Sequence, residues 1–239
     1  MRVARPGRLL AAATVTAALL APATASAAAT GTLQWTTSNV YVSGQPSDAN
    51  KTFMGYITGS GFLGNGTVAA SAGALGQTVT PTSPRGVNAL YPFDFPYQAT
   101  GSAGSIGSGA QTFRFDGTVT FDNIAHGFKV SVENPRVEFT NATTAVLRAS
   151  GIKGTPPTAD VPNPAYDDTQ PVFNLDLTTA VYRFNTDGSQ TISCITPYAS
   201  VVGYAFPAPY GPTTVRTPPA FGRMALRIVP DGATAPATP

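Results

Sequence analysis

Two stretches near the middle of the chain alternate apolar and polar side chains at every second residue. Between Thr112 and Phe121, the side chains of Phe113, Phe115, Val119 and Phe121 share one face, with Gly117 in register. Between Gly127 and Glu133, Phe128, Val130 and Val132 face one way and Lys129, Ser131 and Glu133 the other. A period of two with that contrast predicts half-buried antiparallel strands. Asp122-Asn123 opens the turn between them, and the chain's single histidine, His126, stands at its exit. Asn134-Pro135 reads as a second turn, followed by strands at Arg136–Thr140 and Ala145–Ala149, so this region predicts a meander.

The same reading places further strands at Thr32–Tyr41 (broken near Ser38-Asn39), Val172–Leu177, Ala180–Asn185, Gln190–Ile195, Val201–Phe206 and Arg223–Val229. Thr52–Thr58 reads as a strand or a single helical turn, and Gly66–Thr80 as a strand, a loop and a strand. Few or no helices are expected, because 24 glycines and 22 prolines recur every few residues. Residues 151–171 carry five prolines and predict a long loop, either a functional excursion or a surface segment. The fold expected is all-β: a single antiparallel β-sandwich-like domain over residues 28–230, with a disordered tail at 231–239.

The first 27 residues change the electrostatic picture. Arg2, Arg5 and Arg8 precede an apolar run from Leu9 to about Ala21, and Ala25-Ser26-Ala27 fits a cleavage site. Residues 1–27 therefore read as a signal peptide. The apolar run is short for a membrane span and Pro22 follows it. The expected product is secreted, extracellular or loosely associated with the cell wall, with no direct membrane insertion. Without the three arginines, 11 basic residues stand against 12 acidic ones. No basic cluster survives, which argues against nucleic acid or an anionic lipid surface as partner. Cys194 is the only cysteine, so no internal disulfide forms, and its apolar flanks predict a buried thiol.

Several short motifs occur in order. Gly31-Thr32-Leu33-Gln34-Trp35 gives Gly-x-Leu-x-Trp. Lys51-Thr52-Phe53-Met54-Gly55-Tyr56-Ile57 gives a basic–polar–aromatic–x–x–Tyr pattern. Phe113 to Phe121 leads into His126-Gly127, and Asn134-Pro135-Arg136-Val137 precedes the strand holding Leu147. Over about residues 31–150 the chain resembles the HtaA domain family, actinobacterial secreted or surface haem-binding modules used in iron acquisition. The resemblance implies haem as cofactor, Tyr56 as the iron ligand and His126 as its hydrogen-bond partner. It implies haem or a haemoprotein as source and a membrane-bound haem-transport component as recipient. Tyr41 is the alternative ligand, since it lies six residues after Trp35 and Tyr56 lies twenty-one after. In the haem reading Phe53, Phe62, Phe115 and Trp35 form apolar walls and Arg136 pairs with a propionate.

The chemistry of such a site is plausible on elementary grounds. Phenolate is a hard anionic oxygen suited to ferric iron, and tyrosine is a known axial haem ligand. An imidazole that shares the phenol's proton tunes that ligand from behind. Enzymatic equipment is sparse. No Gly-x-Ser-x-Gly elbow occurs, one histidine and one cysteine do not make a zinc site, and no phosphate-binding loop precedes a helix. The expectation is a non-catalytic haem-capture protein. The competing expectation is a structural or adhesive extracellular β-domain that has lost haem.

Overall fold

Burial at every second residue marks about half of the strands among the described residues, and hydrogen bonding closes eight strands into a ring. The computed structural model describes residues 30–37, 53–59, 64–83, 90–103, 110–199, 205–206 and 221–229. The elements are β1 (Thr30–Thr37), α1 (Phe53–Thr58), β2 (Thr67–Ser71), β3 (Tyr91–Ala103), β4 (Gln111–Phe115), β5 (Thr118–Asn123) and β6 (Phe128–Phe139). They continue with β7 (Thr144–Ile152), β8 (Ala165–Tyr166), β9 (Pro171–Asp176), β10 (Val181–Phe184), β11 (Gln190–Ala199) and β12 (Arg223–Val229). The six-residue α1 is the single helix among the described residues. The signal segment, Tyr41, Phe62 and the tail lie outside the described residues, as does most of the Val201–Phe206 stretch.

The ring runs β1-β3-β4-β6-β7-β9-β11-β12 and back to β1, with every neighbour antiparallel. The fold is all-β, but the architecture is a closed eight-stranded barrel rather than two sheets stacked face to face. Every ring strand is paired on both sides, and this closure leaves the eight ring strands no open edge. Four strands lie off the ring: β5 pairs the first half of β6 and β2 pairs β5, while β8 and β10 pair β7 and β11.

Inward positions are apolar. Leu33 and Trp35 of β1, Phe93 and Phe95 of β3, Phe113 and Phe115 of β4, Leu147 of β7 and Leu226 of β12 are all buried in one core. Outward positions on β6 and β7 carry Lys129, Arg136, Glu138 and Arg148. That is the reverse of a barrel whose outer wall meets lipid.

Three expectations are corrected by the way strands bend. Thr112–Phe121 is two strands, because the chain turns at Asp116-Gly117, where Gly117 takes φ 116°. Burial nevertheless alternates without a break from Gln111 to Asn123. Asn134-Pro135 is no turn. It is a bulge inside β6, with Asn134 at φ 48° accepting the Gly117 N–H on its side-chain oxygen at 3.0 Å. Cys194 is exposed rather than buried, since β11 bulges between Ile192 and Ile195 and Cys194 sits there at φ 62°. The extra residue lets both isoleucines face the core although they are three apart.

β3, the longest strand, carries Pro92 and Pro96, and the periodicity did not predict it. Asp94 exchanges both backbone hydrogen bonds with Leu75, and the Pro96 carbonyl accepts the Asp116 N–H. Residues 92, 94 and 96 thus aim their backbone groups away from β1. The missing proline N–H groups cost no bond in the β1–β3 ladder. The 151–171 segment is also more than a loop. It begins inside β7, contributes β8 and ends in β9. The Tyr166 hydroxyl donates to the Ser131 carbonyl at 2.7 Å, so this segment covers the outer face of β6 and buries Ser131.

Candidate functional site

α1 lies against β2 and β5. Five of its six residues are buried, and Tyr56 alone reaches partway to solvent. Phe53 is 1% exposed. Its ring sits 4.9 Å from Phe206 and 5.1 Å from Phe121, which ties the helix into the aromatic end of the barrel.

His126 occupies the turn joining β5 to β6. The side-chain oxygen of Asn123, a fully buried residue, accepts the His126 N–H at 3.0 Å. Gly127 closes the turn at φ 65°. The turn thereby holds the imidazole on an exposed tip directly above α1.

The two elements meet in one hydrogen bond: the Tyr56 hydroxyl lies 2.6 Å from His126 Nδ1. The rings are 5.3 Å apart at 37°, and Phe128 stacks on Tyr56 at 6.1 Å and 25°. Residues seventy apart in sequence are joined here by one glycine. Gly64 donates its N–H to the Tyr56 carbonyl at 2.8 Å and accepts the Ala125 N–H on its own carbonyl at 2.7 Å. A Cβ at Gly64 would stand 2.2 Å from the Ile57 carbonyl oxygen and 2.7 Å from Asn123 Cγ, so nothing larger than glycine fits.

Burial pushes the Tyr56 phenol above its ordinary value. The phenol therefore keeps its proton at neutral pH. The linkage has a definite sign. The folded state holds a proton that the unfolded chain loses near pH 10, so this stabilisation is intact below about pH 10 and is lost as pH rises towards the shifted value. In an alkaline titration of phenolate absorbance, the difference between wild type and Tyr56→Phe is expected to rise only above about pH 10. A difference that develops below it would contradict this picture.

The other expected site residues lie elsewhere. Arg136 is eight residues beyond Phe128 along β6, roughly 25 Å at strand rise. Its Nε donates to Glu138 at 2.7 Å and its Nη1 to Asp168. Burial pushes the Glu138 carboxyl up, but Arg148 and Arg136 outweigh this and hold it below the usual range. Arg136 is thus committed to a carboxylate network on the barrel wall and is no propionate partner for a ligand at Tyr56. Trp35 and Phe115 are core residues at 1% and 0% exposure, and Phe53 supports Tyr56 from beneath; none presents a wall to a ligand. Tyr41 and Phe62 lie outside the described residues.

Asn123 and Gly64 position the pair, and the sequence does not single them out. Asn123 is legible only as a turn former, and nothing in the sequence marks Gly64 among 24 glycines. Fold and site together define an antiparallel β-barrel bearing a phenol–imidazole pair on its surface. No family model, no curated protein and no solved structure matches the chain.

Proposed function

We propose that this protein binds haem through Tyr56, with His126 as the hydrogen-bond partner of the ligating oxygen, and captures and hands on haem outside the membrane without turnover. The observation that supports the reading is the 2.6 Å contact between the Tyr56 hydroxyl and His126 Nδ1 on an accessible lip. Among the described residues no three His, Cys, Asp or Glu side chains gather as a bare ion would need. A single phenol oxygen instead suits an iron that arrives with its equatorial positions filled by a macrocycle. Tyr56 would present phenolate to ferric iron, and the imidazole would then carry its proton on Nδ1 and donate to that oxygen. Because burial favours the neutral phenol, ligation must displace a proton, and affinity is expected to strengthen with rising pH.

Titration with ferric haem tests the reading. A Soret band that forms with wild type and is lost in Tyr56→Phe is the expected result. A band unchanged in Tyr56→Phe and lost in Tyr41→Phe would keep the function and move the ligand. A flat wild-type titration at micromolar haem would leave the second reading, a structural or adhesive exported β-barrel. The engagement of Arg136 by Glu138 and Asp168 and the burial of Phe53 favour that second reading, since two side chains suited to a haem site are used elsewhere.

A further inference from the structure

The proline-rich excursion from Thr155 to Asn163 has no role in the barrel's hydrogen-bonded ring, yet it is built as a defined piece. Thr155 Oγ1 donates to the Val161 carbonyl at 3.2 Å and accepts the Asn163 N–H at 2.6 Å, which closes the excursion on itself. The Asn163 side-chain oxygen accepts the Lys129 N–H at 2.9 Å, fixing one end to the start of β6. At the other end Gly154 donates to the Ala205 carbonyl at 3.0 Å.

These ties form a circuit of contacts that passes through the phenol–imidazole pair. Ala205 precedes Phe206, which packs edge-on against Phe53 of α1, and α1 carries Tyr56. In the other direction, Pro157 lies over Gly127, the neighbour of His126: a Cβ on Gly127 would stand 2.5 Å from Pro157 Cγ. The Tyr56–His126 hydrogen bond completes the circle. Apolar surface is left open on it. Pro156 and Pro157 are exposed, Val161 is 62% exposed, and Ile124, two residues before His126, is 60% exposed. Adjacent prolines hold such a surface stiff, so a ligand meeting it has little entropy to remove.

We propose that the Thr155–Asn163 strap is one wall of the ligand site, its Pro157 edge and Ile124 meeting the flat apolar face of a macrocycle whose iron is held by Tyr56. This rests on the haem reading of the pair and adds to it the element that selects for a large planar apolar ligand. Such a wall is assembled only in the fold, because strap and pair are twenty-nine residues or more apart in sequence.

The test compares ferric haem affinity, from Soret titration, in wild type, Pro157→Asp, Val161→Asp and the distant surface control Val181→Asp. Amide hydrogen exchange of residues 155–163 is measured with and without haem in the wild-type protein. Pro157→Asp is expected to weaken binding at least about tenfold by placing a charge against an apolar ligand face. Val161→Asp should weaken it in the same direction, Val181→Asp should leave it unchanged, and strap amides should gain protection on binding. If both strap variants bind as tightly as wild type, or if haem binds with no added protection of the strap, the wall assignment is overturned while the Tyr56 reading stands. A wild-type protein that does not bind haem overturns both. Should Pro157→Asp misfold by circular dichroism, Val161→Asp and the exchange measurement decide.

Discussion

Trp35→Ala is expected to lower the unfolding free energy by about 3–5 kcal/mol. The indole is 1% exposed, and its ring lies 5.4 Å from both Phe121 and Phe173. Its N–H donates to the Phe221 carbonyl at 2.5 Å, linking β1 to the chain just before β12. Truncation removes the largest apolar surface in the core and leaves a cavity that neighbours on four different strands and the aromatic end of the barrel cannot close together. Loss of the N–H adds about 1 kcal/mol. Urea unfolding followed by far-ultraviolet circular dichroism measures it, since the only tryptophan is removed. Trp35→Phe should recover most of the packing and keep the hydrogen-bond deficit. A Trp35→Ala protein within about 1 kcal/mol of wild type would show that the aromatic end is not a packed core.

Gly64→Ala is expected to uncouple Tyr56 from His126 without altering either. The new methyl group meets the Ile57 carbonyl oxygen, a backbone atom in a buried helix that has little room to yield. The 64–66 segment must move instead, and with it go the hydrogen bonds that hold the Tyr56 carbonyl and the Ala125 N–H. Overpacking of this kind costs about 1–3 kcal/mol, with the two weakened hydrogen bonds adding to it. The specific readout is the nitrogen chemical shifts of the single imidazole. Wild type should hold one tautomer, set by the hydrogen bond to Tyr56, and Gly64→Ala should shift towards the values of free histidine. Unchanged shifts in a folded Gly64→Ala protein would mean that the pair does not depend on the glycine bridge.

Much of the barrel was legible residue by residue. The alternation from Phe113 to Phe121 is kept in the burial of these side chains, even through the bend at Gly117, because period two encodes which face of a strand meets the core. β12 spans Arg223–Val229 as the pattern predicts, and the helical turn at Phe53–Thr58 was one of two readings open. β3 is hidden in the sequence because Pro92 and Pro96 read as breakers. Their cost vanishes only when the missing N–H groups point away from the partner strand, and that is a property of register. The exposure of Cys194 is hidden for a related reason. Apolar neighbours imply burial only while the alternation holds, and the bulge between Ile192 and Ile195 suspends it.

At the candidate site, the hairpin tip carrying His126 is local information: two alternating strands and an Asp-Asn turn put an imidazole at an exposed corner. Which phenol would meet it is not local. Arg136 appears near His126 in sequence and is carried roughly 25 Å away along an extended strand. Tyr56 is seventy residues distant and arrives within a hydrogen bond.

Taken by itself, the sequence determined that this chain is built of antiparallel strands, where most of them lie and where its lone histidine is displayed. Those are consequences of side-chain periodicity and turn chemistry over a few residues. Closure into a barrel, the conversion of a proline-rich loop into a strap over β6, and the meeting of Tyr56 with His126 belong to the tertiary structure. Each depends on pairings between distant segments: β1 with β12, Pro157 over Gly127, and one glycine bonded to both α1 and the β5–β6 turn. Contacts of that kind are selected by packing the whole core at once, and no window of the chain contains both partners.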